Sequence, residues 1–269
     1  AVQPVEWDEA GCEPLTFAIA GLEKGTRQGR VVIVGADDLD ADDARYFSVE
    51  VDATPRVLVV ASEPADRTGR YVAEAIAPAA LARDGRSRLE CSLLGIDDFR
   101  EQAWDDYDGI VLVDPPPLDD RTWAELGDWV RFGRGLVVWL GPQATTPEAF
   151  NTDESRRTLG GELARIWRDE SGENFLSPRQ LDHPMLSVFR RVADTVPWQD
   201  FPVYRHWEFV VNPAVDAAAA RQMLTPAEPI IAYRDGTPAV LEHTLGQGTV
   251  VVITTPASQP ASDPETWNL

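Results

Sequence analysis

Residues 109–144, GIVLVDPPPLDDRTWAELGDWVRFGRGLVVWLGPQA, constrain the fold more than any other stretch of the chain. Two short apolar runs, 110–113 (IVLV) and 136–140 (LVVWL), are unbroken and bounded by turn residues. Strands buried on both faces of a parallel sheet have this form. Between them Trp123, Leu126, Trp129 and Val130 recur at helical spacing, which predicts an amphipathic helix with those four side chains on its inner face. Asp119 or Asp120 can cap its start by accepting orphan amide protons, and Gly133 or Gly135 can close it in a left-handed turn. The unit is β-α-β, so the crossover should be right-handed and the sheet parallel.

In an open α/β sheet, chemistry belongs at the carboxyl ends of the strands. Here those ends read Asp114-Pro115-Pro116-Pro117 and Gly141-Pro142-Gln143, with no evident nucleophile. Residues 56–61 (RVLVVA) supply an earlier buried strand, after the hinge Thr54-Pro55. The loop that follows, 62–70, stands where phosphate binders place their glycine fingerprint. It carries one glycine, Gly69, and no GxGxxG or GxxxxGK[ST] pattern, so no nucleotide cofactor is expected. A helix should follow with Tyr71, Val72, Ala75, Ile76 and Ala79 on one face and Pro78 kinking or ending it. Residues 89–94 (LECSLL) read as a second strand, and 97–104 as a short helical segment.

Beyond Ala144 the spacing predicts a helix over 162–167 with the residues before it, then a loop-like run from 177 to 201. Strand signals return at 203–211, 229–233, 239–243 and 249–254, with hairpin turns at 234–237 and 246–248. These should form an antiparallel extension of the parallel sheet. The tail 256–269 is rich in Pro, Ser and Ala and reads as a linker.

The segment before the hinge differs. Runs at 16–20 (TFAIA), 30–34 (RVVIV) and 46–51 (YFSVEV) are β-rich and lack helical periodicity. Three strands cannot bury two faces alone, so 1–53 reads as the later part of a β-sandwich. The domain organisation is then 1–53 partial β-sandwich, 54–255 α/β domain and 256–269 linker. The chain opens on Ala1-Val2-Gln3 and stops at Trp267-Asn268-Leu269, which reads as a piece of a longer protein.

A formal net charge of −21 argues against duplex nucleic acid and against an anionic membrane surface. The acidic cluster 37–43 places Asp38, Asp40 and Asp42 at the alternate spacing that opens a calcium loop. The sixth position is Asp43 and the twelfth Val49, where such a loop needs Gly and Glu, so a solvated turn is the better reading and no metal is expected. His206 and Glu208 alternate on one strand and should point the same way, but no third ligand joins them, and His183 and His243 lie elsewhere. Cys12 and Cys91 are too few for a disulfide framework or a metal motif, and two free thiols are expected. GxSxG is absent.

The order RVLVVAS, the Tyr71 helix, a strand, WDDYDGIVLVDPPPL, a Trp-bearing helix and GRGLVVWLGPQ resembles the class I glutamine amidotransferase-like superfamily. That resemblance implies a flavodoxin-like α/β fold with a GxCxGxQ nucleophile turn after a buried strand. The counterpart here is Trp139-Leu140-Gly141-Pro142-Gln143, which has no cysteine. Residues 21–51, His183-Pro184 and 246–258 (GQGTVVVITTPAS) are similar to the extracytoplasmic region of bacterial Bat-type (aerotolerance-regulator-like, often von Willebrand A-containing) membrane proteins. The resemblance implies a periplasmic, non-catalytic interaction or scaffold module, anchored through segments outside this chain, with protein partners at the cell envelope. Two alternatives stay open: a small-ligand sensor with the Pro115–Pro117 loop as one wall, and a hydrolase or amidotransferase with an unrecognised nucleophile.

Overall fold

The computed structural model describes residues 16, 17, 19, 22–34, 43–168, 171–178, 181–192, 195–211 and 227–257. Cys12, most of the acidic cluster (37–42) and the tail from 258 lie outside them. The first elements are β1 (Gly25–Val32) and β2 (Ala44–Val51), an antiparallel ribbon pairing Gly25 with Val51 and Val32 with Ala44. The strand expected at 16–20 is not borne out, because Thr16, Phe17 and Ile19 fall in no strand.

The α/β part follows as β3 (Arg56–Ala61), three short helices α1 (Ala65–Thr68), α2 (Arg70–Ile76) and α3 (Ala79–Arg83), then β4 (Glu90–Gly95). A 3-10 segment (Ile96–Glu101) leads to β5 (Gly109–Val113), α4 (Asp120–Arg131) and β6 (Gly135–Trp139). Next come α5 (Pro147–Phe150), α6 (Asp153–Leu159), β7 (Gly161–Arg168) and β8 (Leu176–Ser177). The chain then runs through 3-10 segments (Pro184–Arg191 and Trp198–Asp200) to β9 (Arg205–Val211), β10 (Glu228–Tyr233), β11 (Pro238–Leu245) and β12 (Gly248–Ile253).

One eight-stranded sheet has the order β4-β3-β5-β6-β12-β11-β10-β8. The first five strands are mutually parallel, and β11, β10 and β8 continue them antiparallel. Numbered by appearance, the parallel strands read 2-1-3-4-5, the flavodoxin-like order, with its switch point between β3 and β5. The fold class expected from the sequence is therefore the one observed.

Alternate residues of the unbroken runs serve two cores. Leu58, Val60, Ile110, Leu112, Leu136 and Val138 pack with Trp123, Leu126, Trp129 and Val130 of α4. Val59, Ala61, Val111 and Val113 pack on the other face with Val72 of α2. Asp119 caps α4 by accepting the Thr122 amide at 2.8 Å, and Gly133 turns out of it at φ 97°.

Three expectations need correction. The helix after β3 ends before Pro78 and buries Val72 as expected, but the inner face is not shared as the spacing suggests, since Tyr71 is 66% exposed. Residues 162–167 are strand, not helix. Gly160 closes α6 in the left-handed region at φ 71°, and β7 then pairs with β9 from Gly161↔Val211 to Arg168↔Arg205. For the same reason 203–211 does not extend the main sheet; β9 forms a separate two-stranded sheet with β7.

Candidate functional site

The carboxyl ends of β3, β5, β6 and β12 bring together Ser62, Asp114, Gly141 and Thr254. Asp114 is the one non-glycine residue with positive φ (51°) among the described residues, and it is only 8% exposed. A left-handed residue directly after a buried central strand is a strained position, and such strain concentrates at functional sites. Its backbone amide donates to the Trp139 carbonyl at 2.7 Å, tying the end of β5 to β6. Its carboxylate accepts the Gln143 amide at 2.8 Å and is also hydrogen-bonded by the buried Ser62 side chain. Burial pushes the carboxyl up to about 6 even though the bonds from Gln143 and Ser62 pull the other way.

The same carboxylate decides what Gly141 can be. A Cβ on Gly141 would lie 2.5 Å from Asp114 Oδ1, so the turn has no room for a side chain. Pro142 offers no amide proton, and the Gln143 amide is spent on Asp114. Gly141's carbonyl accepts Trp207 Nε1–H at 3.0 Å, and the Trp207 backbone amide donates to Thr254 O at 2.8 Å. The Gln143 amide and the Gly141 carbonyl of the turn are therefore engaged inside the chain.

The neighbouring loop is filled as well. Glu63 accepts the Ala65 amide at 3.1 Å, and its other carboxylate oxygen takes the space above Gly95 that a Cβ would need. Gly69 is required by packing, since its Cβ would come within 2.6 Å of Leu93 and 2.8 Å of Ala61. It makes no phosphate cradle.

The histidine and cysteine candidates are dispersed. His183 accepts the Met185 amide at 3.3 Å and faces Glu242 at 3.5 Å. His243 is buried in β11, close over Gly160. His206 and Glu208 do share β9, but Glu208 pairs with Arg165 at 2.7 Å while His206 turns to Thr237 at 3.3 Å. Cys91 sits half-buried in β4, and burial pushes its thiol up, away from the reactive thiolate. Among the described residues, no three His, Cys, Asp or Glu side chains cluster as metal ligands would. A groove of about 280 Å³ lies along the edge strand β8, lined by Phe175, Leu176, Pro178, Pro197 and Trp198 among others; the Asp114 turn has no part in it.

The part Asp114 plays is not visible in the sequence, where an Asp before three prolines reads as an ordinary turn. Its position directly after a buried strand is the one signal that could have pointed to it. Nothing in the pattern announces Ser62 as its neighbour, or Trp207 as the partner of Gly141.

No family model matches the chain, and no curated protein matches it by sequence. Several solved structures are similar in shape. A cytoplasmic protein from Salmonella typhimurium is 12% identical with a TM-score of 0.47, over 87% of this chain and 86% of its own. A ThuA-like protein from Bacteroides uniformis is 11% identical with a TM-score of 0.46, over 76% and 84%. A catalytic mutant of a GH42 β-galactosidase from G. stearothermophilus is 12% identical with a TM-score of 0.44, over 77% of this chain. The chain spans 28% of that β-galactosidase's length. With TM-scores below 0.5 these likenesses carry no argument about activity, and the fold class rests on the strand order itself.

Proposed function

We propose that the chain is a non-catalytic interaction module: an amidotransferase-like α/β domain whose nucleophile turn is closed by its own Asp114. The observation that carries this reading is that the Asp114 carboxylate fills the space a Cβ on Gly141 would need. An enzyme of this kind keeps its turn open, with a nucleophile and free amides that hold an oxyanion. Here the nucleophile position has no room for a side chain, and the amide that would face an oxyanion holds a carboxylate instead.

The β1–β2 ribbon supplies the surface such a module would use. Directly opposed residues share a face, so Val31, Phe47, Val49 and Val51 stand together, with Phe47's ring laid over Gly29. Val31, Phe47 and Val49 are each 40–49% exposed. The two strands carry Arg27, Arg30 and Arg45 against Glu50, while the segment that joins them in the sequence brings Asp37, Asp38, Asp40, Asp42 and Asp43.

The reading extends to the setting that the sequence resemblance implies, an extracytoplasmic part of a membrane-anchored protein with partners at the cell envelope. No helix among the described residues is long and apolar enough to cross a membrane, so anchoring would come from other segments of a longer protein.

The test is hydrolysis. Purified chain is assayed for ammonia release from glutamine and for cleavage of a p-nitrophenyl ester, beside an Asp114→Asn variant. The expected rates equal the buffer background in both proteins. Turnover in the wild type that disappears in Asp114→Asn, or that a thiol reagent abolishes, would replace this reading with a catalytic one.

A further inference from the structure

His206 is fully buried, although its partner on the strand, Glu208, reaches the surface. Its ring lies between Trp167 of β7, with centroids 4.6 Å apart, and Tyr233 of β10, at 4.1 Å. Nε2 is 3.3 Å from Thr237 Oγ1, in the turn between β10 and β11. Thr237 has one hydroxyl proton, and it is donated to Asp235 Oδ1 at 2.7 Å. Thr237 can therefore only accept from His206, which assigns the imidazole proton to Nε2. Nδ1 is left bare, buried, and without a hydrogen-bond partner among the described residues.

Among the described residues, the charged and titratable groups around the ring are all committed elsewhere. Glu208, on the same face of β9, holds Arg165 of β7. Asp235 is bound to the amide and hydroxyl of Thr237, and Arg234 beside it pairs with Glu173 at 3.0 Å. Tyr233 shares its hydroxyl with Thr254 at 2.9 Å. A second proton on His206 would have to sit on Nδ1, in a space bounded by aromatic rings and with no acceptor among the described residues. A buried cation in that position is strongly disfavoured.

We infer that the seam between β9 and the β10–β11 turn is an acid-sensitive latch, held shut by neutral His206 and released when Nδ1 takes a proton and the ring leaves its slot between Trp167 and Tyr233. Burial, which outweighs the attraction of Asp235 and Glu208, is consistent with this and holds the imidazole down at about 4. Once the ring is in water its ordinary value of about 6.5 returns. That difference is what couples proton uptake to opening.

Hydrogen–deuterium exchange on the whole chain tests the latch. Residues 205–211 and 233–238 are followed at pH 7.5 and 4.5, corrected for intrinsic exchange, in the wild type and in His206→Gln. Glutamine can still donate to Thr237 but takes up no proton. The opening constant of both segments should rise roughly 50- to 100-fold in the wild type on acidification, well beyond β3, β5 and α4. In His206→Gln that excess should vanish. A seam indifferent to pH, or a variant as acid-sensitive as the wild type, would overturn the inference. If His206→Gln does not fold, histidine-labelled NMR of the wild type decides instead. A His206 midpoint near 4 with the Thr237 amide following it is expected, and a midpoint near 6.5 would end the proposal.

Discussion

Asp114 concentrates the physical argument at the scale of one residue. Its backbone is left-handed and its carboxyl is buried, and both features cost stability. The pH dependence has a definite sign. A carboxyl held at about 6 when folded, against an ordinary value of 3.8, contributes stability that is fully present below pH 3.8 and is lost as pH rises through 6. Asp114→Asn keeps the acceptor for the Gln143 amide and tolerates positive φ, but carries no charge. The variant should therefore gain about 1–3 kcal/mol over the wild type at pH 8 and show no gain at pH 3.5, measured by urea denaturation. A variant less stable at pH 8 would mean that the carboxylate is satisfied as an anion. Gly141→Ala tests the other side of the same contact. It should cost about 1–3 kcal/mol, and the loss should shrink when Asp114→Ala is added, because the clash then has no second partner.

At the scale of elements, the β5-α4-β6 unit was legible in the sequence because each of its signals is local. The apolar runs, the Asp119 cap and the Trp123/Leu126/Trp129/Val130 stripe needed no distant partner to be read, and all are where the spacing puts them. Trp129 is buried and donates its indole N–H to the Trp104 carbonyl at 3.2 Å, so Trp129→Ala should cost about 3–5 kcal/mol. Arg131 pairs at the surface with Asp128, and Arg131→Ala should stay within about 0.5 kcal/mol of neutral. Chemical denaturation midpoints that ranked the two the other way would contradict the helix phase. Strand β7 was illegible for the opposite reason. Residues 162–167 have no local strand pattern, being interrupted by a register shift between Leu163 and Arg165. What makes them strand is β9, some forty residues later, together with Asn151, whose side chain both donates to and accepts from the Leu163 backbone. The closed turn was hidden in the same way, since Ser62, Asp114, Gly141 and Trp207 meet only once the sheet has formed.

At the scale of the whole molecule, two buried groups at neighbouring seams pull stability in opposite directions with pH. Asp114 favours the folded state at low pH, as worked out above. His206, held at about 4 against an ordinary 6.5, contributes stability that is present above pH 6.5 and lost as pH falls through 4. Trp207 lies beside His206 on β9 and bonds the Gly141 carbonyl, so the two seams share an element. Relative to the wild type, Asp114→Asn should gain stability from pH 4 to 6.5, while His206→Gln should lose it over the same window, each by up to about 3 kcal/mol. Two difference curves of the same sign would remove one of the assignments. The central claim, that this sheet edge is closed by the chain's own carboxylate and not held open for chemistry, is tested most directly by an NMR titration of the Gln143 amide proton and the Asp114 carboxyl carbon. Both should move together with a midpoint near pH 6, with the amide shifting as its acceptor ionises. An Asp114 carboxyl titrating near 3.8, with a Gln143 amide that ignores it, would mean that the turn is open to water and that the account is wrong.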